Sequence, residues 1–176
     1  MWNKSCEICC RYWTIHEKDN EKLNFDKDKK IKDNILNNKT FAIIKPDAIK
    51  NKFTGLIYDR ILKNGFSVLS AKLLKMTKKQ AMGFYFIHRD KPFYEELTTF
   101  MSSGPCMVLA LEKENAVENW RKIIGSTNPE EAKNGTIRKD FANNLSENAV
   151  HGSDSDENAE KEIAFFFSNS EVIGNQ

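Results

Sequence analysis

From Thr40 onward the sequence predicts one domain of mixed α and β structure, and three observations carry that expectation. Short apolar runs bounded by proline or glycine alternate with stretches whose apolar residues recur every three or four positions, the marks of strands and helices in turn. The chain has 176 residues, long enough to bury a real core. Composition also changes near Lys39: residues 1–39 hold nine Lys/Arg, seven Asp/Glu and neither Gly nor Pro. Residues 1–39 are a polar N-terminal extension, whose residues 16–39 are too polar to bury much surface and read as solvated, whereas residues 40–176 form the domain.

Phe41 to Lys45 is a short apolar strand that ends where Pro46 withholds an N–H from the ladder. Thr54 starts a helix with Leu56, Ile57, Ile61 and Leu62 at helical spacing, and Gly65 stops it. Phe66 to Met76 alternates as a strand, with a phase shift at Ser70. Thr77 opens a helix over residues 78–88, and Pro92 opens another from Phe93 to Met101. Cys106 to Leu111 is a central strand, followed by a helix from Glu114 to Ile124. Residues 126–146 lack periodicity, and structureless loops of about 20 residues are often functional. Asn148 to His151 forms the last strand edge and Asp156 to Phe167 the last helix. This order suits a mainly antiparallel four-stranded sheet covered by helices. It suits a small parallel α/β sheet equally well.

A formal net charge of +2 is nearly balanced, so composition gives no concentrated basic surface for nucleic acid. No run of 18 apolar residues is present to cross a membrane, and the first 15 residues lack the apolar core of a secretory signal. Cys6, Cys9 and Cys10 crowd near the start with His16, a poor zinc set because two well-spaced ligand pairs are wanted. Cys106, inside an apolar run, is expected to be buried, and a reducing compartment follows.

The segment Asn148-Ala149-Val150-His151-Gly152-Ser153-Asp154-Ser155 is where chemistry is expected. It sets a histidine between an apolar run and a turn of small residues that lead into a helix. Small neighbours let a substrate approach the imidazole, and Ser155 can cap the orphan N–H groups of the helix. Such a histidine suits a nucleophile or proton carrier.

This octet resembles the active-site signature of the nucleoside diphosphate kinase family. Other blocks are similar too: Thr40 to Asp47, Arg89-Asp90-Lys91-Pro92-Phe93-Tyr94, Ser102-Ser103-Gly104-Pro105, Gly125-Ser126-Thr127-Asn128-Pro129 and Gly135-Thr136-Ile137-Arg138. They run in family order and spacing from Thr40 to about Phe167. The resemblance implies an α+β fold, a ferredoxin-like, mainly antiparallel sheet covered by helices. It also implies a ping-pong enzyme moving the terminal phosphate of a nucleoside triphosphate, typically ATP, to a nucleoside diphosphate through a phosphohistidine at His151.

Roles follow by resemblance, position by position. Lys45, Arg121 and Arg138 match the family's phosphate-binding cations, with Tyr85 and Thr127 as hydroxyl donors. Planar guanidinium forks suit phosphate oxygens. Glu162 would accept the proton of the non-reacting ring nitrogen, and Ser153 would hydrogen-bond Glu162. Phe93 matches the aromatic on which the base stacks, with Leu97 one turn on, and stacking is indifferent to base identity. Asn148 and Lys45 match residues that bind the sugar hydroxyls. Mg2+ would be carried mainly by the phosphates rather than by a protein cage. The family assembles as tetramers or hexamers, and Pro129 matches a loop residue supporting assembly. A cytoplasmic homo-oligomer is expected, with neither membrane nor nucleic acid as partner. Lys91 departs from the family's usual arginine, and an ammonium cannot make the same bidentate contact. A non-enzymatic nucleotide-binding relative is the rival reading, and the intact set of residues argues against it.

Overall fold

The computed structural model describes residues 38–173. Residues 1–37, with the Cys6, Cys9, Cys10 and His16 group and nearly all of the polar extension, lie outside the described residues. Strand β1 (Lys39–Ile44) leads into Lys45 and a short helix, α1 (Pro46–Lys50), that the periodicity did not predict. Proline at its first position loses only an N–H that no helix could use. Helix α2 (Thr54–Lys63) buries Ile57 and Ile61. Leu56 and Leu62, which shared their expected stripe, are exposed. Gly65 takes φ +77° and turns the chain into β2 (Ser67–Lys75). The phase shift expected at Ser70 is a bulge between Val68 and Ser70. One extra residue there reverses the facing of all that follows, so Ala71 and Leu73 point to solvent and Leu74 packs inward.

Thr77 caps α3 (Lys78–Phe84) with a reciprocal capping box to Gln80. The helix ends at Tyr85, and residues 86–88 form a separate 3-10 turn, so the expected helix to His88 is broken in two. There follow α4 (Tyr94–Ser103), β3 (Pro105–Glu112) and α5 (Ala116–Ile124). The expected structureless loop contains a short helix, α6 (Ile137–Phe141). Strand β4 (Val150–Gly152) precedes α7 (Asp156–Phe166), whose cap Ser155 accepts the Asn158 N–H at 3.1 Å.

The strands form one sheet in the order β2-β3-β1-β4, and every pairing is antiparallel. Since β1 and β2 both oppose β3, they run parallel with β3 inserted between them, the split βαβ arrangement of ferredoxin-like folds. The parallel alternative is thereby removed. Ala42, Ile44, Leu109 and Leu111 face one core with Trp120, and Phe41, Ile43, Val108 and Ala110 face the other. With both faces covered, β1 and β3 are apolar at nearly every position instead of alternating. Among the described residues no helix is long and apolar enough to cross a membrane.

Candidate active site

Strand β4 is short and lies on the sheet edge, with His151 opposite Ile43 of β1. Helix α7 runs back over it and brings Glu162 to the imidazole. Both Glu162 oxygens lie 3.1 Å from His151 Nε2. Ser153 Oγ donates to Glu162 Oε2 at 2.5 Å and accepts the Phe41 N–H at 3.3 Å. A carboxylate only accepts, so Nε2 carries the ring proton and Nδ1 keeps its lone pair. Phe41, Phe84 and Tyr85 surround the ring at centroid distances of 6.0, 5.4 and 5.9 Å, all in edge-on geometry.

The backbone beside the histidine is as closely fitted. Trp120, fully buried, donates its indole N–H to the His151 carbonyl at 3.2 Å. A Cβ at Gly152 would stand 2.5 Å from that indole ring, which leaves room for glycine alone.

His151 opens on a cleft of about 880 Å³, lined also by Lys45, Tyr85, Phe93, Leu97, Arg121, Thr127, Arg138, Asn148 and Glu162. Of the residues expected at the site, only Ser153 stays behind the wall, where it holds Glu162. Lys45 Nζ donates to Asn148 Oδ1 at 2.6 Å, and the Asn148 amide donates to the Leu145 and Thr127 carbonyls at 3.0 and 3.3 Å. Burial, then the charge of Arg138, push the Lys45 ammonium down to about 8. Arg138 is pushed down to about 10 by burial and by Arg121. Its two terminal nitrogens donate to the carbonyls of Gly125 and Val150, at 2.9 and 3.1 Å.

Arg138 Nε and the Tyr85 hydroxyl are buried without a hydrogen-bond partner among the described residues. Buried donors normally find partners, and the cleft that Arg138 and Tyr85 line also crowds the positive charges of Lys45, Arg121 and Arg138. A multiply charged anion rich in acceptor oxygens meets both needs. Asp154, which also lines the cleft, is held below the ordinary carboxylate range by the Asn158 amide at 2.6 Å. Among the described residues no three metal-ligating side chains cluster as a cage.

At the lip, Phe93 is 48% exposed and packs against His88, with ring centroids 5.7 Å apart. Leu145 lines the same cleft at 59% exposure and was not foreseen. A lone leucine within a polar loop was the only signal it gave. Trp120 was not singled out either; it falls within the helix expected from Glu114 to Ile124.

The sequence model of the family described as nucleoside diphosphate kinase matches residues 38–172. The chain is 54% identical over 135 residues to the nucleoside diphosphate kinase of Pelobacter propionicus, covering 77% of this chain and 98% of that one. It is 54% identical over 135 residues to that of a Wolbachia strain, covering 77% and 97%. Among solved structures it superposes on the Aquifex aeolicus nucleoside diphosphate kinase with TM-score 0.76 and 42% identity, over 77% of this chain and 99% of that one. It also superposes on the Halobacterium salinarum nucleoside diphosphate kinase in complex with CDP, with TM-score 0.76 and 33% identity, over 80% and 93%.

Proposed function

The chain belongs to the nucleoside diphosphate kinase family, and on that premise we propose that His151 is the residue that carries the phosphoryl group. The activity is transfer of the terminal phosphate from a nucleoside triphosphate to a nucleoside diphosphate by a ping-pong route. One observation carries the assignment of His151: Glu162 engages Nε2 with both oxygens, which leaves Nδ1 as the nucleophile in a cleft of cations.

In this reading the Nδ1 lone pair attacks the γ-phosphorus of ATP in line. The bond from that phosphorus to the bridging oxygen breaks, and ADP departs with the electron pair. The positive charge left on the ring is shared through Nε2–H with Glu162, which Ser153 holds in place. A β-phosphate oxygen of a second diphosphate then attacks the same phosphorus, the P–N bond breaks, and neutral His151 returns. Lys45, Arg121 and Arg138 balance the charge of the phosphates, with Tyr85 and Thr127 as hydroxyl donors. Asn148 and Lys45 reach the sugar hydroxyls, and the base lies on Phe93 beside Leu97.

A Mg2+ ion arriving with the nucleotide would supply charge neutralisation at the phosphates. The donor set suits an ion carried on the nucleotide: no three metal-ligating side chains cluster among the described residues, and Asp154, a cleft carboxylate held below its ordinary range, would be available to help hold it. A cytoplasmic homo-oligomer, tetramer or hexamer, completes the reading. Exposed Leu73 on the edge strand β2 and exposed Leu56 and Leu62 on α2 supply apolar surface for it, and mass measurement in solution checks it.

The test is direct. Incubation with γ-labelled ATP should give an acid-labile phosphoenzyme that a second diphosphate discharges. His151→Ala should abolish it while ADP still binds. Ping-pong turnover surviving in that variant would refute the assignment.

A further inference from the structure

The strand that carries His151 is preceded by an unusual turn. Val150 N–H donates to the Asn148 carbonyl at 2.7 Å, across Ala149, whose φ is +64°. A three-residue turn with positive φ at its centre is the rare, strained form of the γ-turn. Here its centre is a fully buried alanine rather than glycine. Left-handed backbone is sterically unfavourable for any residue with a Cβ, so something must hold it.

Two contacts do. The Ala149 carbonyl accepts the Lys45 N–H at 2.8 Å, and the Ala149 N–H donates to Asp47 Oδ2 at 2.9 Å. Asp47 lies on α1, is 5% exposed, and its Oδ1 has no partner among the described residues. Its Oδ2 is thus engaged by this turn. The turn faces the chemistry on both sides. Asn148 before it binds the Lys45 ammonium, and His151 lies two residues after it.

The geometry points to Asp47 as a positioning residue that holds Ala149 in its strained turn and thereby sets His151 and Asn148 in register with Lys45. Asp47 does not line the cleft and touches no reacting atom. The inference rests on His151 being the phosphoryl carrier. Burial raises the Asp47 carboxyl above its ordinary value, and the N–H groups of Ala149 and Ala48 and the charge of Lys45 pull it back down.

The test compares Asp47→Ala, Asp47→Asn and the double variant Asp47→Ala/Ala149→Gly. Quench-flow gives the rate constant of phosphoenzyme formation, the burst amplitude gives the fraction of competent sites, and NMR follows exchange of the Ala149 amide. Asp47→Ala should leave the Ala149 amide unprotected and slow phosphorylation per competent site about 10- to 100-fold, as expected for a misplaced reacting group. Asp47→Asn keeps an acceptor oxygen and should stay within about threefold. The glycine variant should recover most of the lost rate, because glycine takes positive φ freely.

A merely structural role lowers the burst amplitude, leaves the rate constant unchanged and gains nothing from glycine. That result overturns the proposal, as does an Asp47→Asn rate as low as that of Asp47→Ala. Asp47→Asn carries the comparison if the alanine variant does not fold. Absence of a phosphoenzyme in the unmutated chain would overturn the phosphohistidine reading instead, and Ala149 exchange would still decide whether Asp47 holds the turn.

Discussion

Replacing Lys45 by methionine should stabilise the protein while disabling it. The ammonium titrates at about 8 in the fold against 10.5 in water. At roughly 1.4 kcal/mol per pH unit, that gap amounts to about 3 kcal/mol by which the fold disfavours the charged lysine. Methionine follows the same path into the site without a charge. It forfeits the bond to Asn148, a contribution of about 1 kcal/mol, so a net gain of about 2 kcal/mol remains. For a domain of this size that is a rise in Tm of about 5 °C near pH 7.

The sign with pH is fixed. Below about 8 both folded and unfolded chains keep the proton, and the full penalty stands. Between about 8 and 10.5 the unfolded chain holds a proton that the folded chain has shed, so the wild type gains stability as pH rises. The advantage of Lys45→Met should accordingly fall by about 3 kcal/mol across that window, from a gain of about 2 kcal/mol to a small deficit. Taking the difference between variant and wild type removes the contributions of Cys106, pushed up to about 12, and of Tyr85. Calorimetric unfolding at intervals from pH 7 to 10.5 reads it. A variant less stable than wild type at pH 7, or an advantage that ignores pH, would refute the reasoning.

Glu162→Gln replaces a charge-assisted bond to Nε2 by a neutral one and should slow phosphoenzyme formation by about tenfold or more, at about 1.5–3 kcal/mol for bonds to charged groups; an unchanged single-turnover rate would count against the role of Glu162. Phe93→Ala should weaken nucleotides of every base by a similar factor, from roughly 1–3 kcal/mol of stacking, and calorimetric titration with ADP, GDP and CDP would expose any base-selective loss. Gly152→Ala drives a methyl into the Trp120 indole and should cost about 1–3 kcal/mol in urea unfolding. A chain beginning at Asn38 should retain turnover and assembly, because every proposed site residue lies between Lys45 and Glu162; loss of either would make the extension part of the working protein.

Strands β1 and β3 were legible in the sequence because both lie mid-sheet and are apolar on both faces. The bulge in β2 was visible too, as a slip in alternation at Ser70. Its consequence was not, since only pairing with β3 shows that Ala71 and Leu73 turn outward. The helix expected to reach His88 broke at Tyr85, because the ring is drawn into the core beside His151, a tertiary demand that local periodicity cannot carry. Similarity of motifs named the residues that line the cleft. It could not disclose that Arg138 already gives both terminal nitrogens to backbone carbonyls, or that Trp120 grips the His151 carbonyl. Those contacts join segments far apart in the chain and leave no local pattern.

The three aromatic edges around His151 bear on what the loaded enzyme does while it waits. A phosphoramidate is an energy-rich bond that water can destroy, and each such event would turn the enzyme into a wasteful triphosphatase. The His151 side chain is only 18% exposed, and the Phe41 and Phe84 rings that cover part of it offer water no hydrogen bond. Water reaching the phosphorus must come from the cleft side, the side that an arriving diphosphate fills. Acceptor and shield are then one molecule: an occupied cleft excludes the solvent that would compete with it. Idle leakage should accordingly fall as diphosphate concentration rises, and the aromatic enclosure sets how long the charged state survives between partners.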